Sequence, residues 1–69
     1  MSETSRDDVR RILKTFGIQA DEAIMAHISQ DLPVSKLRIR ITLTDLTEYG
    51  VNAPDIPLGL EIEGSVSLR

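Results

Sequence analysis

Sixty-nine residues with eight Lys/Arg against eleven Asp/Glu, a net charge of −3, make room for one small domain and lack the basic footprint of a nucleic-acid binder. With no cysteine there is no disulfide, and with one histidine there is no zinc cage of Cys and His ligands. No apolar run approaches the roughly 18 residues of a membrane span, and the start MSETSRDDVRR is acidic and polar where a signal peptide is basic and then apolar. The expectation is a soluble, cytoplasmic chain forming a single α+β domain over residues 1–69.

Charge is unevenly placed. Residues 1–40 hold seven Lys/Arg against six Asp/Glu, whereas residues 41–69 hold one against five, so the acidic part is the C-terminal one.

Residues 5–16 read as a first helix. Val9, Ile12, Leu13 and Phe16 follow the i, i+3, i+4, i+7 pattern of one apolar stripe. Ser5 is placed to cap it, Asp7 and Asp8 lie near its start, and Arg10, Arg11 and Lys14 follow, in the order the helix dipole favours. Gly17 is then the natural left-handed stop, with Ile18 folding back on Leu13. A second helix is expected over about 20–30, opened by Asp21 and Glu22 and ended before Pro33, because a residue preceding proline is pushed out of the α region. Its stripe is Ile24, Met25, Ile28 and Leu32. Ala20, Ala23 and Ala26 allow another backbone to come close.

The stretch KLRIRITLTDL, residues 36–46, alternates strictly, with Leu37, Ile39, Ile41 and Leu43 on one side and Arg38, Arg40, Thr42 and Thr44 on the other. A second strand is expected at 58–68, where Leu58, Leu60, Ile62, Val66 and Leu68 alternate with Gly59, Glu61, Glu63, Ser65 and Ser67. Only Gly64 interrupts its apolar side. An antiparallel register that faces Ile39 with Ile62, Ile41 with Leu60 and Leu43 with Leu58 also sets Arg40 against Glu61 and Arg38 against Glu63. Arg38, Arg40, Glu61 and Glu63 then form a polar face that fixes register and solubility, or that meets a ligand. Between the strands, DLTEYGVNAPDIP suggests a helical turn boxed by Asp45 and Glu48, with Leu46 and Tyr49 turned inward and Gly50 ending it, as a plug over the end of the sheet. The whole reads as two N-terminal helices packed on an antiparallel hairpin, in the order ααββ.

Little in the chain supports catalysis. His27 is the one side chain with an unperturbed pKa near neutrality, and Ser29, two residues on, lies on another side of the helix, so no dyad forms locally. Asp45, Glu48 and Asp55 fail the spacing of a calcium loop, and the four glycines make no phosphate loop. The reading is non-enzymatic, without cofactor or metal.

Two uses remain. In the first, the expected register leaves Val66 to Leu68 overhanging the irregular segment 33–35, so Ser65, Val66, Ser67 and Leu68 offer an edge on which a second copy, or a subunit of a larger complex, extends the sheet. In the second, two helices and a hairpin wing share an outline with winged helix-turn-helix domains, and Arg10, Arg11, Lys14, Arg38 and Arg40 contact nucleic acid. The second helix, which would read bases, carries Asp21 and Glu22 and no Arg or Lys.

Overall fold

Apolar residues recur in steps of three and four from Val9 through Leu13, Phe16, Ala20 and Ile24 to Ile28, and Gly17 lies inside that series without displacing any member of it. In the computed structural model, which describes residues 3–68, the outcome is one helix, α1, Glu3–Ile28. The two expected helices are therefore a single one, about 39 Å long at 1.5 Å per residue. A glycine in a helix interior costs about 1 kcal/mol relative to alanine, a penalty that Phe16, Gln19, Ala20, Glu22 and Ala23 around it can outweigh. Splitting the helix there would also break the stripe. Ile18, expected to fold back on Leu13, is instead exposed on the face opposite the stripe. Ser5, expected as the cap, lies inside the helix rather than before it.

The C-terminal end matches the expectation of a stop ahead of Pro33. The Ser29 N–H donates to the Met25 carbonyl at 3.1 Å, and the Gln30 N–H donates to His27, only three residues back, at 3.2 Å, so the last turn tightens. The Ser29 hydroxyl donates to the Ala26 carbonyl at 2.7 Å and takes up one of the last acceptors. Near the other end Asp8 and Arg11, one turn apart, form an exposed ion pair at 3.2 Å.

Residues up to Pro33 and residues from Val34 onward form two compact units. The second is a hairpin of β1, Lys36–Thr44, and β2, Gly59–Ser67, antiparallel and two-stranded. Taken together the described elements are of the α+β class, in the order αββ.

The register differs from the expected one by two residues. Leu37 faces Val66, Ile39 faces Gly64, Ile41 faces Ile62 and Leu43 faces Leu60. An even shift keeps every side chain on its own face, so both faces survive. What decides between the two registers is length of pairing: the observed one matches all nine residues of each strand and adds a Leu68 N–H to Ser35 carbonyl bond of 2.9 Å. The expected register would have wasted that end of β2. The consequence is that Val66 to Leu68 do not overhang, as expected, but are matched on their β1 side.

In the connection, Asp45 acts differently from a box partner of Glu48. One of its oxygens accepts the Thr47 N–H at 2.9 Å, an Asx turn, and the other accepts the Tyr49 hydroxyl. With both oxygens engaged, no helical turn starts there. A 3-10 turn follows instead at Gly50–Asn52, entered through a left-handed Gly50 with φ of 64°. Nor does this segment plug the sheet: Leu46, Val51 and Ile56 are 88%, 99% and 87% exposed.

Among the described residues none is buried. The apolar faces of both units are formed, but neither closes into a core.

Candidate functional site at the outer edge of the hairpin

In an antiparallel ladder, pairs that exchange hydrogen bonds alternate with pairs that do not. The bond from Leu68 to Ser35 fixes the phase. Leu37 with Val66, Ile39 with Gly64, Ile41 with Ile62 and Leu43 with Leu60 are the hydrogen-bonded pairs, and the polar-face pairs are the others. It follows that Glu61, Glu63 and Ser65 on β2, like Arg38, Arg40 and Thr42 on β1, aim their backbone N–H and C=O groups away from the other strand. Those groups are the two rims of the sheet, and among the described residues no third strand lies along either.

Non-hydrogen-bonded pairs bring side chains closer, and Arg40 with Glu63 is such a pair. The Arg40 Nε and Nη2 both donate to one Glu63 oxygen, at 3.1 and 2.9 Å. Glu61, one position along the same face, reaches Arg40 Nε at 3.4 Å. Arg40 thus sits between two carboxylates. Its expected partner was Glu61, and the two-residue shift makes Glu63 the closer one. Arg38, expected against Glu63, stands opposite Ser65. The four polar residues do gather on one face, with an open hollow of about 310 Å3 lined by Arg38, Ile39, Arg40, Glu63 and Gly64. These side chains are more than half exposed where they pair, so each contact is worth roughly 0.2–1 kcal/mol.

The proposed edge residues Ser65, Val66, Ser67 and Leu68 occupy the end of β2. Val66 and Leu68 turn their backbone groups toward β1 and belong to the apolar row, whereas Ser65 presents its own to the rim. Glu61 and Glu63, further back on β2, share that outward phase with Ser65. Only the paired ladder reveals it, since alternation in the sequence leaves the phase open.

Elsewhere, Arg10, Arg11 and Lys14 lie on α1, with Arg11 paired to Asp8. The helix-turn-helix outline is not formed, because α1 is continuous. His27 lies eighteen residues beyond Val9, five whole turns, and so on the apolar stripe of α1. No three of His, Asp and Glu come together among the described residues. No helix there is long and apolar enough to cross a membrane. The connection holds one polar cluster that the sequence reading missed. The Tyr49 hydroxyl, with Thr47 behind it, holds the Asp45 carboxyl below its ordinary range, and Asp45 in turn raises the Tyr49 phenol. An Asp with Thr two residues on and Tyr four on was the available signal.

Comparison with protein-family models, with curated proteins and with solved structures finds no match to this chain.

Proposed function

We propose that this chain is a non-enzymatic, cytoplasmic interaction module that joins a second copy of itself through the outer rim of β2, as a homodimer or as the paired subunit of a larger complex. The supporting observation is the hairpin itself. Two strands alone are marginal in water, and Ile41, Leu43, Leu60 and Ile62 stay exposed on the face that a sheet normally buries. A third and fourth strand supplied by a second copy lengthen that face and satisfy the outward N–H and C=O groups of β2.

Of the two rims, β2 is the better suited. Glu61 and Glu63 both lie within ion-pair distance of Arg40, whose single positive charge offsets part of theirs. On β1, Arg38 has Ser65 opposite it and no carboxylate paired with it among the described residues, and a cation so placed on a rim discourages strand addition. Sedimentation equilibrium at micromolar concentration tests the reading. The expected mass is near twice the 7.7 kDa of one chain, and a monomer throughout that range would remove it.

A further inference from the structure

Gly64 stands in the middle of β2's apolar row, opposite Ile39. A glycine inside a strand weakens it, and the usual local reasons are a bulge, a backbone that other residues cannot adopt, or a neighbour that leaves no space for a Cβ. None applies. The register runs unbroken through Gly64, Gly50 is the only described residue with positive φ, and nothing lies within 4 Å of where a Gly64 Cβ would be. The reason for the glycine is then sought outside the single chain.

Building on the β2-rim reading, we infer that Gly64 lies on a two-fold axis, where β2 pairs antiparallel with the β2 of a second copy, Gly64 opposite Gly64. The phase of the hairpin ladder limits the choice. Residues that meet the second copy through hydrogen bonds must be those aimed outward, Glu61, Glu63 and Ser65, so the two strands can slide past each other only in steps of two. A register one step toward fuller overlap sets Glu63 directly against Glu63, and the step beyond that sets Glu61 against Glu63 twice. Opposed like charges destabilise a strand pair. Centred on Gly64, by contrast, Glu63 faces the second copy's Ser65, Ile62 faces Val66 and Leu60 faces Leu68. This is the longest overlap in which no carboxylate opposes another, and it keeps the apolar row continuous across both copies.

A two-fold axis sets whatever stands on it against itself. Glycine is the residue that brings no side chain to that self-opposition. The resulting sheet has the order β1, β2, β2, β1, and its apolar face has a shallow hollow where the axis passes, bounded by the two copies of Ile39.

The chain contains no cysteine, so single-cysteine variants report the register directly. In the inferred pairing the two Gly64 positions form a non-hydrogen-bonded pair with Cα atoms about 4.5 Å apart, inside the ~4.4–6.8 Å range that a disulfide spans. Two Ile62 positions are offset by four residues, about 13 Å along the strand, and cannot be bridged. Under mild oxidation of the full chain, Gly64→Cys is expected to give predominantly disulfide-linked dimer. Ile62→Cys alone should stay near background, while an equimolar mixture of Ile62→Cys and Val66→Cys chains should give the mixed dimer.

If Gly64→Cys disturbs folding, the mixture still tests the same register. Bridging of Ile62→Cys to itself above the Gly64→Cys yield, or no bridging in either experiment while sedimentation still shows a dimer, would overturn the Gly64 axis and leave the dimer standing. A monomer by sedimentation would remove both.

Discussion

At the scale of single residues, the polar face of the hairpin is organised by one arginine. Arg40 donates twice to Glu63 and lies slightly further from Glu61, so its coupling should be unequal. Double-mutant cycles with Arg40→Ala are expected to give about 0.2–1 kcal/mol for Glu63→Ala and less for Glu61→Ala. Equal coupling, or stronger coupling to Glu61, would favour the register shifted by two. In the connection, Tyr49→Phe removes the largest influence on the Asp45 carboxyl, whose pKa should then rise toward its ordinary 3.8, as read by carboxyl NMR titration. The sign for stability follows from the direction. Because the folded Asp45 pKa is depressed, its contribution is present above 3.8 and is lost as pH falls through the lower folded value. Tyr49 works oppositely: its contribution is present below 10.0 and is lost as pH rises through the raised folded value. An Asp45 titration unaltered in the phenylalanine variant would mean that the hydroxyl contact does not persist in solution.

At the scale of elements, alternation and capping rules were legible to different depths. Strand alternation in 36–46 and 58–68 located both strands and both faces correctly, since a period of two is read directly from the residues. Register was legible only to within two residues, because Ile39, Ile41 and Leu43 are interchangeable partners for Leu60 and Ile62, and Arg40 finds a glutamate in either alignment. The expected overhang of Val66 to Leu68 disappears for the same reason. Gly17 misled more deeply. As a local signal it matches a helix stop, but the stripe from Val9 to Ile28 continues through it, and a helix-wide pattern outweighed a single position. Asp45 with Glu48 misled similarly, because Thr47 and Tyr49 compete for the same carboxylate. Gly17→Ala separates the two readings of α1. In a continuous helix with open space at the Cβ position, the substitution should stabilise by about 1 kcal/mol in thermal unfolding followed by circular dichroism. At a left-handed stop it would destabilise.

At the scale of the whole molecule, the sequence contains enough apolar side chains for two ordered faces, and none of those among the described residues is buried. A helix in water draws most of its stability from burying its stripe, and a hairpin from covering one face. Both units therefore stand to gain from added burial, and in the proposed pairing that gain falls at the outer rim of β2, where backbone hydrogen bonds and apolar continuation come together. Amide hydrogen exchange as a function of protein concentration tests that claim most directly. The outward N–H groups of Glu63 and Ser65 should exchange rapidly in dilute solution and become protected as concentration rises, while those of Arg38 and Arg40 stay fast. Protection that never depends on concentration, or that appears at Arg38 and Arg40 instead, would contradict pairing through β2.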